Sequence, residues 1–498
     1  NRPIASEVIA AIEELRDGRP SKTSNYLRGS LPLKDDDLCD FAARGRLLPR
    51  TQSLDGERSG LGHDAAAYLP ETDRDVPTRL VEMIADKAAK PNAADLKITR
   101  FDVLRLMDCD EHALLPTQSK LERPSNENRR PVLETLLSEA LRHDKPVILE
   151  AEGGVGKSVA AMQLSRLLPP SSVCVVYDCF GNGSYRDPTM RRDQPRKAFV
   201  QIINELAFQG LCDPLIPSSR APDEQYASAF LTRIQQAALS VSAKDEAVLL
   251  IVIDAADNAE MAALEYGEYG SFARWLLRMS WPKGAHIILT TRPERRELLN
   301  PPPDIPCLVL PPFDEAESAA HLRSRHPSAS LATAQAFHRL TSANPRLQHR
   351  AFENSDDLSK MLDRLGPEPL TVEGAIEALL DEAVAKARDG VRPVDKKSID
   401  GICTALAVLR PFVPLEVVAK VAEVEHSFVI SLASELGRAL VINDGAVQFA
   451  DEPTETWFRK RFRSDDDAVE KVLRRLQPQA AKSSYAAAAV PQLLLAGC

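Results

Sequence analysis

The sequence predicts an α/β fold in which a doubly wound parallel sheet is followed by two mainly helical regions. Five short apolar segments alternate with helical patterns and are predicted to be strands: 146–151, 172–179, 247–254, 285–291 and 307–310. The third of these is an unbroken apolar run that ends in an acid, as expected for a strand buried on both faces of a parallel sheet. Ligands of such sheets bind at the carboxyl ends of the strands, so polar residues there are candidates for a functional site.

A glycine-rich loop follows the first predicted strand. Residues 151–158 read Ala-Glu-Gly-Gly-Val-Gly-Lys-Ser and lead into a helical pattern. Backbone N–H groups of such a loop surround phosphate oxygens, the lysine adds a cation, and the serine hydroxyl binds Mg²⁺. Ala151 stands where the first glycine is usual, which costs little at negative φ. We therefore predict that a nucleoside triphosphate binds at Glu152, Gly153, Gly154, Val155, Gly156, Lys157, Ser158 and Val159.

Two acids mark the end of the third predicted strand. Asp254 closes the strand beside the glycine-rich loop, where we expect it to hold Mg²⁺ together with Ser158. Asp257 lies three residues further on, where it is predicted to polarise the attacking water. The alternative for Asp257 is a helix N-cap for the segment 259–264.

Arg292 follows the fourth predicted strand and leaves the sheet at the same edge as the two acids. A guanidinium there is predicted to contact the γ-phosphate of a triphosphate. The alternative is an ion pair with a surface acid, Glu294 or Glu297. The tripeptide Asn344-Pro345-Arg346 follows in a helical region.

Four motifs in this order resemble the STAND class of P-loop NTPases, and within it a NACHT-like module. They are Gly-Gly-Val-Gly-Lys-Ser, Ile-Asp-Ala-Ala-Asp-Asn, Thr-Thr-Arg-Pro and Asn-Pro-Arg, and the resemblance covers residues 126–463. It implies that the loop lysine and serine bind nucleotide and Mg²⁺, that Asp254 completes the metal site, that Arg292 senses the γ-phosphate, and that Pro345 contacts the base or ribose. Many NACHT modules carry a glutamate where this chain has Asn258, so slow hydrolysis is expected.

The segment 177–185 resembles the region after the second strand in bacterial antiviral STAND proteins. Its glycines predict a loop at the ligand edge of the sheet, from which Asp178 or Arg186 would reach the nucleotide or a neighbouring subunit. The alternative is a solvated turn with surface arginines, since four follow closely: Arg186, Arg191, Arg192 and Arg196.

Two helical regions follow the predicted sheet. Residues 314–390 predict a helical lid, with helices at 316–325, 331–340 and 372–388. Three more helices and two short strands joined by Asn443-Asp444-Gly445 predict a winged-helix domain over 391–463. Between Ser398 and Asp451 three basic residues stand against seven acidic ones, a balance that would repel nucleic acid. We therefore expect this domain to dock internally. Related switches carry a histidine after the wing, and here Asp451-Glu452 stands in that place.

Composition and charge indicate an intracellular, multidomain chain. The 498 residues carry a net charge of −10, which argues against a surface built wholly for nucleic acid. Eight cysteines are scattered without metal-ligand spacing, so neither a disulfide framework nor a zinc site is predicted. No apolar run reaches the roughly 18 residues of a membrane span. We expect a cytoplasmic protein without a membrane partner.

The outer regions carry weaker patterns. Residues 1–125 are predicted to be the tail of an effector or a helical connector, 126–313 the NTPase core, and 464–498 the start of a C-terminal helical region. Helical patterns are interrupted at both ends, so we expect a segment of a longer protein whose C-terminal sensor recognises a protein trigger.

With the resemblance, these features predict a switch that binds ATP and ADP, hydrolyses ATP slowly, and forms a homo-oligomer on sensing its trigger, in antiphage defence. A STAND-type transcriptional regulator, with its DNA-binding domain outside this segment, is one alternative. A P-loop small-molecule kinase is another, although the lid and winged helix would be superfluous to it.

Overall fold

The computed structural model describes residues 82–86, 89, 99–106, 109–124, 127–187, 190–217, 221–243, 246–354, 357–389, 392–443, 445–450, 452–463 and 466–496. The chain divides into two compact units, Asn1–Pro116 with Phe199–Ser240, and Thr117–Ala198 with Val241–Cys498. Most of the expected effector tail, with Cys39, lies outside the described residues, as do Asp444, Asp451 and Cys498.

A five-stranded parallel sheet forms the centre of the second unit. Its strands are β1 Val147–Glu150, β2 Val173–Asp178, β3 Leu249–Asp254, β4 Ala285–Thr291 and β5 Cys307–Val309, in the order β2-β3-β4-β1-β5. All four pairings are parallel, and every residue of β3 is buried. The register sets Asp178 beside Asp254 and Glu150 beside Thr291, so the carboxyl ends share one edge. The predicted parallel sheet of an α/β fold is confirmed.

Helices precede and connect the strands: α1 Arg100–Leu106, α2 Glu111–Leu114, α3 Val132–Ala140, α4 Lys157–Leu167, α5 Pro195–Phe208, α6 Asp223–Ser242, α7 Ala256–Glu265 and α8 Phe272–Arg278. Apolar residues of α3 and α4 share one core with β1, β3 and β4. On β2, Tyr177 meets Phe272 of α8 edge to face at 5.1 Å, while its neighbour Val176 packs toward α3 and α4. Because successive strand residues point to opposite faces, helices cover both sides of the sheet.

The other unit is held together by a buried amide and an aromatic pair. Asn204 donates to the carbonyl oxygens of Leu114 and Leu215 and accepts from the N–H of Leu215 at 2.8 Å. Phe199 stacks on Phe230 with 4.4 Å between ring centroids. The amide satisfies backbone groups at the end of α2 that burial would otherwise leave unpaired.

Five helices follow the sheet where the lid is predicted: α9 Glu315–Arg325, α10 Leu331–Leu340, α11 Pro345–Asn354, α12 Leu358–Leu365 and α13 Val372–Arg388. Pro345 is the first residue of α11, a position where a missing N–H costs nothing. The helices α9, α10, α11 and α12 bury a shared core around Phe337 and Phe352.

The C-terminal region begins with three helices and three short strands: α14 Pro393–Val408, β6 Val413–Pro414, α15 Leu415–Ala422, α16 His426–Glu435, β7 Leu440–Asn443 and β8 Ala446–Phe449. The strands form an antiparallel sheet in the order β6-β8-β7. Three helices continue the chain: α17 Glu452–Phe462, α18 Asp466–Leu476 and α19 Ser484–Ala496. None of the helices in the described ranges has the length and apolarity to cross a membrane.

Candidate functional site

A cavity of about 400 Å³ lies at the carboxyl edge of the sheet. Its wall includes the loop residues Gly153 to Val159 and, from the lid, Pro345. Gly154 and Gly156 adopt φ of +81° and +99°, a left-handed backbone that favours glycine. Ala151, by contrast, has no positive φ, as expected for a residue that replaces a glycine without strain.

Helix α4 begins at the end of this loop with its N-terminus open to an anion. Gly156 is the N-cap and provides no side-chain hydrogen bond, so N–H groups of the first turn remain available for an anion. The Lys157 ammonium donates to the carbonyl oxygens of Ala151 and Glu152. Burial lowers the pKa of Lys157 to about 8. Glu152 exposes its side chain, so its part in the loop is through its backbone.

Asp254 lies directly behind Ser158. Its Oδ2 accepts from the Ser158 hydroxyl at 2.6 Å, and its Oδ1 accepts from the Thr290 hydroxyl at 2.8 Å. Burial raises the pKa of Asp254 to about 6. No cluster of three or more His, Cys, Asp or Glu within the described ranges is arranged to hold a metal ion. A hydroxyl beside one carboxylate nevertheless fits Mg²⁺, which uses few protein ligands where phosphates and waters supply the rest.

Asp257 faces the cavity from within α7. The helix begins at Ala256, and its N-cap is Ala255, so the alternative of Asp257 as an N-cap is wrong. The Asp257 carboxylate lies 3.5 Å from a guanidinium nitrogen of Arg295. Burial raises the pKa of Asp257.

Arg292 also lines the cavity, and its nearest acid comes from the C-terminal region. Its Nη1 lies 3.1 Å from Oε2 of Glu452 and 4.0 Å from Oε1 of Glu294. The predicted pair with Glu294 therefore exists only at the outer limit of an ion pair. Arg295 forms a second ion pair with Glu452, through Oε1.

Residues at the start of α11 donate hydrogen bonds to backbone carbonyl groups of the glycine-rich loop. The Asn344 amide donates to the carbonyl oxygen of Gly153 at 3.0 Å, and the N–H of Arg346 donates to that of Gly154 at 3.2 Å. The Asn344 Oδ1 also accepts from the N–H of Arg346 at 3.0 Å. These contacts fix the start of α11, and with it Pro345, against the loop.

Because Asn344 and Arg346 pack against the loop, replacing Gly153 or Gly154 by alanine should change the free energy of unfolding by different amounts. A Cβ on Gly154 would lie 2.7 Å from Oδ1 of Asn344 in a left-handed backbone, whereas a Cβ on Gly153 meets no atom within 4 Å. Gly154→Ala is therefore expected to destabilise the protein by about 1–3 kcal/mol, and Gly153→Ala much less. Thermal unfolding of the two variants measures the difference. Equal melting temperatures would contradict this account of the contact.

A buried ion pair joins Arg130, just before α3, to Glu317 in the first turn of α9. Arg130 Nε donates to Oε1 of Glu317 at 3.1 Å, and the side chains are 4% and 7% exposed. The same guanidinium donates to the carbonyl oxygens of Val155 at 3.3 Å and Pro311 at 2.7 Å. One side chain thus links the loop, the chain after β5 and the first turn of α9.

The segment after β2 is a buried hydrogen-bonded loop. Asp178 accepts from the N–H groups of Gly181 and Lys120, and Arg192, fully buried, donates to the carbonyl oxygens of Asp178 and Gln118. The alternative of surface arginines is therefore wrong for Arg192, and also for Arg186, which is 7% exposed. Asp178 and Arg186 are not part of the cavity wall.

Polar contacts attach the C-terminal region to this loop and to α7. Gln448 of β8 donates to the carbonyl oxygen of Asn182 at 3.0 Å. Arg186 pairs with Glu455 of α17, and Arg410 Nη2 lies 2.8 Å from Oε2 of Glu265. Together with the contacts of Glu452, they place the start of α17 at the cavity.

No family model and no curated protein matches this chain. A Walker-type ATPase of Pyrococcus abyssi matches with 13% identity and a TM-score of 0.36, over 68% of this chain and 98% of its own. A STAND protein with a tetratricopeptide repeat sensor from Pyrococcus horikoshii matches with 12% identity and a TM-score of 0.35, over 74% of this chain and 47% of its own. The Aeropyrum pernix ORC1 protein, whose structure was solved in complex with DNA, matches with 14% identity and a TM-score of 0.31, over 71% of this chain and 97% of its own. All three TM-scores lie below 0.5, so these similarities do not define a shared function.

The structure thus brings together most of the residues predicted for the site. Lys157, Ser158, Asp257, Arg292 and Pro345 all line the cavity. Sequence reasoning assigned no role to three contributors: Asn344, Arg295 and Glu452. Asn344 belongs to the Asn-Pro-Arg motif itself, and Arg295 lies three residues after Arg292, so the motifs already indicated the neighbourhood of both. Glu452 has no comparable local signal.

Proposed function

We propose that this chain is the nucleotide-binding part of a STAND-class switch with a NACHT-like module, which binds ATP and hydrolyses it slowly. The observation that carries the proposal is that one cavity is walled by three regions. The phosphate loop contributes Lys157, the lid contributes Pro345, and the C-terminal region contributes Ala450 and Glu452. A ligand bound there would contact all three regions, which is what a nucleotide-dependent rearrangement requires.

Each residue of the site has a role in this proposal. The loop N–H groups and Lys157 bind phosphate oxygens, and Ser158 and Asp254 hold Mg²⁺, which when bound would neutralise phosphate charge. Asp257 orients the attacking water, and Arg292 contacts the γ-phosphate. Pro345 borders the base or ribose.

We further propose that residues 391–463 form a winged-helix domain that docks over the nucleotide rather than on nucleic acid. The sequence of elements α14, β6, α15, α16, β7 and β8 supports this fold. Of the three basic residues between Ser398 and Asp451, Arg410 pairs with Glu265 and Lys420 with Glu416, so each of these two charges has an acidic partner. We also propose the five domain boundaries that the sequence predicts, namely 1–125, 126–313, 314–390, 391–463 and 464–498.

Switching requires that ATP and ADP stabilise different arrangements. A ligand shifts an equilibrium only by its difference in affinity for the two states, and the γ-phosphate is the group that distinguishes the two nucleotides. In this proposal a protein trigger opens the C-terminal region, ATP stabilises the open state, and the open chains assemble into a homo-oligomer. A role in antiphage defence rests on the resemblance of the segment 177–185.

The function is tested by Asp254→Asn together with the parent protein. The asparagine retains partners for the Ser158 and Thr290 hydroxyls, so we expect the variant to fold. It removes the negative charge, so the gain in ATP affinity on adding Mg²⁺ should fall by about tenfold or more. Calorimetric titration with and without Mg²⁺ measures this. ATP binding by the parent that is independent of Mg²⁺ would remove the basis for the assignment.

A second measurement separates the switch from the small-molecule kinase. Light scattering should detect a larger particle with a non-hydrolysable ATP analogue and trigger than with ADP. ATP labelled at the γ-phosphate should release the label as inorganic phosphate. No label should be transferred to an organic acceptor. Transfer of label to an added metabolite would support the kinase instead.

A further inference from the structure

Two arginines and one carboxylate meet beside the cavity: Arg292 and Glu452 line it, and Arg295 pairs with Glu452. Oε2 of Glu452 forms an ion pair with Arg292, 3.1 Å from its Nη1, and Oε1 of Glu452 accepts a hydrogen bond from Arg295. Arg295 also lies 3.5 Å from Asp257, which lines the cavity. A single carboxylate therefore bridges two guanidinium groups beside the phosphate loop.

The carboxylate and the arginines come from different regions. Arg292 directly follows β4, and Arg295 lies in the adjoining 3₁₀ segment Pro293–Leu299. Glu452 is the first residue of α17 in the C-terminal region. The bridge therefore exists only while that region is docked on the NTPase core.

Two neighbouring guanidinium groups favour an anion between them. Arg292, Arg295 and Glu452 are 25%, 14% and 21% exposed, so their interaction is partly shielded from water. Burial, and after it the positive charge of Arg292, lowers the pKa of Arg295 from its usual value. Carboxylate and phosphate oxygens suit this arrangement equally, because the planar guanidinium binds either in a bidentate manner.

We propose that Arg292 and Arg295 together form the binding site for the terminal phosphate of a nucleoside triphosphate, and that Glu452 occupies this site while the C-terminal region is docked. The inference rests on the proposed function, since it requires a nucleotide at the phosphate loop. A phosphate and the Glu452 carboxylate repel each other at one arginine pair, so a triphosphate displaces α17. A diphosphate lacks the terminal group and leaves the bridge in place.

Displacement must be reciprocal. If the triphosphate weakens the docking of α17, then docking weakens triphosphate binding by the same factor. Neutralising Glu452 removes this opposition, so triphosphate affinity should rise while α17 ceases to respond to the identity of the nucleotide.

Glu455 provides a matched control on the same helix. It pairs with Arg186 across the same interface, is nearly buried, and does not line the cavity. Glu455→Gln should loosen docking in general but keep the competition at the arginine pair. Glu452→Gln should remove the competition itself. The distinguishing measurement is therefore the difference that the two nucleotides make to α17, rather than its stability.

Hydrogen exchange of residues 452–462 tests the proposal on the full chain, with ADP and with a non-hydrolysable ATP analogue. In the parent and in Glu455→Gln, exchange should be faster with the analogue than with ADP. In Glu452→Gln this difference should vanish, and calorimetry should show analogue binding tighter by about tenfold or more, the effect of one charge-assisted hydrogen bond. Adding Arg295→Gln to Glu452→Gln should reverse that gain.

Equal exchange with both nucleotides in the parent would overturn the proposal without requiring any variant to fold. A nucleotide difference that persists in Glu452→Gln would also overturn it. Unchanged analogue affinity on adding Arg295→Gln would remove Arg295 from the site. If the parent bound neither nucleotide, the proposed function itself would fail, whereas tight binding with equal exchange would refute only this inference.

Discussion

Replacing Lys157 by alanine is expected to abolish tight ATP binding. The ammonium is the side-chain cation of the phosphate loop, and it now donates to two carbonyl oxygens of that loop. In the ATP complex it would exchange these for the β- and γ-phosphates. Two charge-assisted hydrogen bonds at 1.5–3 kcal/mol each correspond to a loss of about 100-fold or more in affinity. Titration with fluorescent ATP measures the loss.

Lys145→Ala is the control for this prediction. Lys145 is a half-exposed lysine just before β1, at the opposite end of the strand from the loop, and it pairs with Asp304 on the surface. Lys145→Ala and Lys157→Ala each remove one positive charge. Any effect of net charge on the binding of ATP, a polyanion, therefore appears in both variants. ATP binding by Lys157→Ala equal to that of the parent would show that the loop is not the phosphate site.

The second large effect concerns stability and the ion pair between Arg130 and Glu317. Arg130→Met leaves the Glu317 carboxylate buried without its cation and leaves carbonyl oxygens of the loop without their donor. Breaking a buried pair from one side costs about 3–5 kcal/mol, because the remaining charge stays desolvated. Urea unfolding of the full chain, followed by circular dichroism, measures the change.

The neighbouring residue again gives a control. Arg129 pairs with Glu134 on the surface, where its side chain is 79% exposed, so Arg129→Met should leave the unfolding midpoint unchanged. The double variant Arg130→Met with Glu317→Gln should be less destabilised than the sum of the single variants, since the second change removes the unpaired charge. Equal midpoints for the Arg129 and Arg130 variants would contradict the structural role of the pair.

The sheet could be predicted closely because its signal is local. A strand buried on both faces needs a run of apolar residues, so β3 and β4 are visible in the sequence itself. The predicted strands end within two residues of the observed ones. The loop could also be predicted from its glycines, since the left-handed backbone at Gly154 and Gly156 permits few other residues.

The features that could not be predicted depend on contacts between residues that are distant in the sequence. Arginine is usually exposed, so nothing in the local pattern indicates that Arg192 is buried among backbone carbonyl groups. Asp257 precedes a predicted helix and suggests a cap, but the helix begins one residue before it. Glu452 was noticed only as a departure from the expected histidine, because its partners are defined by how the C-terminal region docks.

The bridge between Arg295 and Glu452 spans 157 residues of sequence, and this has a consequence during synthesis of the protein. The ribosome adds about 5–20 residues per second, and upstream domains begin to fold before downstream ones exist. The arginines therefore wait for about 8–30 seconds, by the same rates, before their carboxylate is made. A nascent chain in that interval lacks the Glu452 carboxylate, and of the acids near the arginine pair only Asp257 and Glu294 have been made. If Glu452 competes with the terminal phosphate as proposed, this competition begins only after the C-terminal region has been synthesised.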